Sequence, residues 1–162
     1  MTPSSTDRSD TDLDALEPLS LDASWIYKVA VLADRVARHT SQTASDVAGL
    51  NLSQWRVLAA IADETGRTAS QVVALTPMDK GLVSRAVATL VEAGLVQREA
   101  SDQDGRRAHL HLTPRGRQTY DRIIDRLRLS GGLGWNMLSA SGTDRFLKTL
   151  DRLIGTYPRA KG

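Results

Sequence analysis

Residues 81–113 read GLVSRAVATLVEAGLVQREASDQDGRRAHLHLT, and the order of patterns inside this stretch decides the fold. Val83, Ala86, Val87 and Leu90 recur at helical spacing, which predicts a short amphipathic helix from an Asp79 N-cap to Ala93, with Gly94 as its stop. Leu95–Ala100 is a candidate strand. In Arg107–Leu112 the residues Ala108, Leu110 and Leu112 alternate with Arg107, His109 and His111, the period of a second strand. Between the strands, Ser101–Arg106 holds Asp102, Asp104 and Gly105, the chemistry of a tight loop. Helix, strand, arginine-tipped loop and returning strand, in that order, let one helix enter a DNA major groove with a hairpin beside it.

Working outward, Thr68–Leu75 reads as a short helix with Val72, Val73 and Leu75 apolar, and Pro77 blocks its continuation. Only a few residues separate it from the next helix, which is helix-turn-helix spacing. Leu52–Ala62 is expected to be a helix with Ser53 as N-cap and Trp55, Leu58 and Ala59 along one side, closed by Gly66. Trp25, Val29, Leu32 and Val36 mark an amphipathic helix from Leu21 to His39. Downstream, Thr113-Pro114 forms an N-cap and first-turn pair that opens a long helix through Leu129. A last amphipathic helix over Asp144–Thr156 carries Phe146, Leu147, Leu150, Leu153 and Ile154.

The expected fold class is therefore mainly α with a small β-hairpin wing: a winged helix-turn-helix with N- and C-terminal dimerisation helices. The expected organisation is a disordered acidic tail (1–18), an N-terminal dimerisation helix and linker (19–50), the winged helix-turn-helix module (51–112) and C-terminal dimerisation helices (113–162). A module of about 60 residues offers the amphipathic terminal helices little surface to cover, whereas a partner's helices would provide it.

Composition narrows the function. The chain has 162 residues, 41% of them hydrophobic but only 4% aromatic, and a formal net charge of +2. Residues 1–18 hold Asp7, Asp10, Asp12, Asp14 and Glu17 against Arg8, a net of −4, which leaves +6 for the remainder. A basic body suits a nucleic-acid partner. Cysteine is absent, which excludes disulfides, thiolate metal sites and thiol redox sensing. No run approaches the roughly 18 apolar residues of a membrane span, and the N-terminus has no secretory pattern, so no membrane partner and a cytoplasmic location are expected. No Ser/His/Asp elbow, metal cluster or cofactor fingerprint points to an enzyme, and no cofactor is expected.

On the helix of residues 79–93, Gly81, Ser84, Arg85 and Ala88 share the face opposite the apolar one, with Lys80 and Thr89 nearby. Small residues permit close approach to a groove; Arg85 can reach guanine bidentately, while Ser84 and Lys80 suit phosphates. At the hairpin tip, Arg106 and Arg107 can enter a minor groove or bind phosphates, and Asp104 is suited to orient Arg106 rather than to touch DNA.

Several segments together resemble the MarR family of bacterial regulators: Leu52-Ser53-Gln54-Trp55-Arg56-Val57-Leu58, Met78–Arg85, Gly94-Leu95-Val96, Asp104-Gly105-Arg106-Arg107 and Leu112-Thr113-Pro114-Arg115-Gly116. The resemblance covers about residues 20–157 and is strongest over Leu52–Gly116. It implies a homodimeric winged-helix regulator, usually a repressor, on double-stranded DNA with a pseudo-palindromic operator. It further implies release by a small aromatic or phenolic effector in many members. By residue it makes Arg106 the wing arginine, Asp104 its partner, and Ser84 and Arg85 major-groove readers. The first helix is expected to pair with the last two across a two-fold axis.

Other features carry less. Trp25, Tyr27 and Trp55 are candidate effector contacts, and Trp135 is a further candidate to line such a cavity. His109 and His111 could reach a metal together, but no third ligand is close in sequence; both read as solvent-facing, with His111 near phosphate. His39 is placed at the end of the first helix, where a cation is favoured. Ser130-Gly131-Gly132-Leu133-Gly134 follows a helix and lacks the Lys-Ser/Thr of a phosphate loop, and it departs from the family, whose helix continues here. The competing function is a winged-helix module for protein association without specific DNA binding.

Overall fold

The computed structural model describes Leu21, residues 24–100, 108–130 and 138–157. The chain divides into two compact units, residues 1–35 and 36–162. The order of elements is α1 (Trp25–Ala48), α2 (Leu52–Asp63), β1 (Arg67–Thr68), α3 (Ala69–Leu75), α4 (Lys80–Glu92), β2 (Val96–Ala100), β3 (Ala108–Leu112), α5 (Pro114–Leu129) and α6 (Ala140–Thr156). This is the winged helix-turn-helix class expected: mostly helical, with a small antiparallel sheet of order β1-β3-β2.

Most helix starts are written in the sequence as caps. Asn51 caps α2 reciprocally, its side chain accepting from Gln54 N–H while the Gln54 side chain accepts from Asn51 N–H. Ser53, expected as this cap, lies inside the helix. Thr68 and Gln71 make the same box for α3, so Thr68 precedes the helix rather than opening it. Asp79 caps α4, Thr113 caps α5, and Ser139 caps α6. The last helix thus begins four residues before the expected Asp144. Its apolar periodicity starts late, but its hydrogen bonding does not.

The first helix departs furthest from expectation, continuing past His39 to Ala48. His39 is therefore a mid-helix residue, and its imidazole Nε2 lies 3.0 Å from the Ser130 hydroxyl. Four of residues 40–45, Thr40, Ser41, Thr43 and Ser45, are weak helix formers by type. In the structure Thr40 and Thr43 hydroxyls donate to the carbonyls of Val36 and His39, and Thr40, Thr43 and Ala44 are buried. Tertiary burial overrides propensity here.

The core of the second unit is built from Val57, Leu58 and Ile61 of α2, Val72 of α3, Val83, Val87 and Leu90 of α4, Leu110 of β3, and Ile123 and Leu127 of α5, each fully or almost fully buried. Leu75, apolar like Val72, is 58% exposed at the end of α3. The helix stops there, and the adjacent turn is closed by Met78 instead, which is buried. Strand β1 has two residues, too few to show any alternation in sequence, and pairs Arg67 with Leu110 and Thr68 with His109.

Candidate nucleic-acid interface

The turn between α3 and α4 sets the presentation of α4. The Thr76 hydroxyl donates to Val72 O at 2.8 Å and Met78 N–H to Thr76 O at 2.8 Å. The Asp79 carboxylate then accepts from Leu82 N–H at 2.7 Å. With Val83, Ala86, Val87 and Leu90 buried, the opposite face must point outward. Lys80, Gly81, Ser84, Arg85, Ala88 and Thr89 are all exposed.

That face is cationic and open. Neither Lys80 nor Arg85 has an acidic partner among the described residues. The Arg85 guanidinium lies back over Gly81, where a Cβ would stand 3.7 Å from Nη1. Thr89 is turned inward to its own helix, donating to Arg85 O at 3.1 Å.

Strands β2 and β3 are the described part of the wing. Val96 pairs with Leu112 and Ala100 with Ala108, so the ladder between β2 and β3 is unbroken over both strands. Asp104, Arg106 and Arg107 lie outside the described residues.

The strand histidines are not the solvent-facing pair expected. His109 Nδ1–H donates to Gly66 O at 2.6 Å, since a carbonyl can only accept. His111 Nδ1 lies 3.0 Å from the Thr65 hydroxyl, and its Nε2 is 3.1 Å from a Glu99 carboxylate oxygen, close but off the axis of a hydrogen bond. Both rings are half-buried because β1 and the turn before it cover that face of β3. The two-residue β1 was the missing signal. Arg67 anchors the same turn, donating to Ala60 O and pairing with Asp63 and Glu64. Together these contacts fix the base of the wing.

Trp55 is 6% exposed. Its ring stacks on Tyr120 of α5 with centroids 5.6 Å apart and planes at 14°. The Arg117 guanidinium lies 5.5 Å from the other ring's centroid and also donates to Ala62 O. Tyr120 and Arg117 were not legible as partners because they lie more than 60 positions downstream of Trp55. In the N-terminal unit, Trp25 and Tyr27 are 47% and 44% exposed. Tyr27 lines an open cavity of about 420 Å³ with Lys28, Val31, Leu32 and Arg35.

Comparison with known proteins agrees with this geometry. Residues 48–107 match the MarR family. A candidate transcriptional regulatory protein for the hcr operon of Thauera aromatica is 31% identical over 86 residues, which is 53% of this chain and 52% of that protein. The chain thus spans about half the length of this curated relative. The crystal structure of a MarR-family transcriptional regulator from Silicibacter pomeroyi superposes with a TM-score of 0.75 at 24% identity, over 88% of this chain and 96% of the other. BpsR of Bordetella bronchiseptica, whose DNA binding is regulated by 6-hydroxynicotinic acid, superposes at 0.68 with 20% identity over 85% and 97%. Over residues 48–107 the chain is thus similar to the MarR family, and its fold is that of the MarR-family structures it superposes on.

Proposed function

We propose that the chain is a DNA-binding transcriptional regulator, a repressor acting as a homodimer on a pseudo-palindromic operator. The observation that carries this reading is the outer face of α4, where Lys80, Ser84 and Arg85 stand exposed and unneutralised beside small Gly81 and Ala88. Arg85 reads a base edge, Lys80 and Ser84 hold phosphates, and Arg106 and Arg107 carry the wing's contacts with Asp104 orienting Arg106. Residues 51–112 form the reading head.

The dimer reading rests on exposed apolar surface. Helix α6 buries none of its residues, although Phe146, Leu147 and Ile154 are 44%, 53% and 69% exposed on an amphipathic helix. In the other unit, Trp25, Ile26, Val29 and Leu32 are exposed along α1. Faces of this size in water call for a partner. Segments 19–50 and 113–162 supply the two-fold contact, which would set two α4 helices roughly 34–36 Å apart, one DNA turn. A small aromatic or phenolic effector releases the DNA, with Trp25 and Tyr27 as its candidate contacts; 6-hydroxynicotinic acid acting on BpsR supports this class.

The test is a salt-resolved titration on DNA from upstream of the gene, with scrambled DNA as control. The expected result is a complex at dimer stoichiometry at least about 10³-fold tighter on the specific DNA. Arg106→Ala should weaken that complex strongly and leave the dimer folded. Equal affinity for both DNAs, vanishing with salt, overturns the reading and favours protein association through the basic face.

A further inference from the structure

The C-terminal end of α4 is held by the first turn of α5 with unusual completeness. Helix α4 closes in a Schellman turn: Gly94, at φ +66°, donates to Val91 O, and Leu95 N–H reaches back to Leu90 O. This satisfies the carbonyls of Leu90 and Val91, and beyond the helix come those of Ala93, Gly94 and Leu95. Each of those is taken by α5. Ala93 O accepts from Arg115 Nη1 at 3.3 Å, Gly94 O from the Thr113 hydroxyl at 2.7 Å, and Leu95 O from Thr113 N–H at 3.1 Å.

Packing closes the joint as well. Gly116 sits against Leu95 with no room for a side chain: a Cβ there would overlap Leu95 O and stand 2.9 Å from its carbonyl carbon. Farther along, α5 is tied to two other helix ends, Arg117 donating to Ala62 O near the end of α2 and Arg122 to Val47 O near the end of α1, both at 3.2 Å. Cations at helix C-termini are favoured electrostatically as well as by hydrogen bonding.

We propose that Thr113, Arg115 and Gly116 are positioning residues that lock α4 to α5, so that the two helices move as one body. On the DNA-binding reading above, on which this functional consequence rests, any rearrangement of the C-terminal helices reaches Ser84 and Arg85 through this joint. A ligand can bias DNA affinity only through an element whose arrangement differs between two states. The three carbonyl contacts make α5 that element for α4.

The absence of cysteine from the chain allows a direct test. Spin labels at Ala88→Cys on α4 and Asp121→Cys on α5, both exposed positions, report the interhelix distance in labelled chains diluted with unlabelled protein. The Thr113→Val/Arg115→Met variant should broaden or shift that distance, and Thr113→Ser should keep the wild-type distribution. Arg115→Met alone, at an exposed position, carries the same readout should the double variant not fold. In parallel, the preference for operator over scrambled DNA should fall about tenfold in the double variant, the loss expected for a few hydrogen bonds, while scrambled-DNA binding persists. A distance distribution of wild-type width and position in these variants overturns the lock. Wild-type protein without operator preference overturns the DNA-binding reading instead, and the label distances still decide the lock.

Discussion

Replacing Gly116 by alanine should reverse the usual helix rule. Glycine inside a helix costs about 1 kcal/mol relative to alanine, because its backbone loses more freedom on folding. Gly116 lies in the first turn of α5, so the propensity gain there is at most that figure. Against it stands a Cβ overlapping Leu95 O and 2.9 Å from the adjoining carbonyl carbon. The obstacle is backbone held by the Schellman turn and by Thr113, which cannot rotate aside as a side chain could. Relief requires a shift on the order of an ångström, and overpacking of this kind costs roughly 3 kcal/mol. The net expectation is a loss of about 2 kcal/mol, or roughly 4–8 °C in Tm for a chain of this size. Urea unfolding at fixed protein concentration reads it as a lowered midpoint with unchanged slope. Gly155→Ala is the matched control: a Cβ on that α6 residue meets nothing within 4 Å, and the change should raise stability by about 0.5 kcal/mol. Gly116→Ala at or above wild-type stability would refute the close-approach argument.

Other expectations follow from single contacts. Arg85→Ala should leave unfolding unchanged and cost about 1–3 kcal/mol of discrimination at one base pair of each half-site; identical base preference in variant and wild type would remove Arg85 from the reading face. Trp55→Ala should cost about 3–5 kcal/mol, because it empties a buried site and strands Tyr120; a loss below about 1 kcal/mol would mean that Trp55 is not a packing residue. Leu147→Glu with Ile154→Glu, both on exposed α6 positions, should convert the proposed dimer to monomer in sedimentation analysis; an unchanged dimer mass would place the two-fold contact elsewhere.

How far the site was legible depended on the distance over which each signal acts. The face of α4 was fully readable, because Val83, Ala86, Val87 and Leu90 dictate by periodicity alone that Ser84 and Arg85 point outward. The base of the wing was not. His109 and His111 alternate with apolar residues and so read as exposed, yet Thr65, Gly66 and Glu99 meet them across the sheet. The hairpin tip bearing Asp104, Arg106 and Arg107, clear in sequence, lies outside the described residues.

The sequence by itself determined the order of the helices and of the two wing strands, the caps at Asp79 and Thr113, the stop at Gly94 and the buried stripe of α4, since these depend on local geometry and on side-chain periods of 2 and 3.6. Only the tertiary structure decided the continuation of α1 through Thr40 and Thr43, the burial of Trp55 on Tyr120, and the joint of Gly116 with Leu95. Each of those depends on which segments the folded chain brings together. Such pairings arise from the summed burial of a whole core, and no window of sequence contains them.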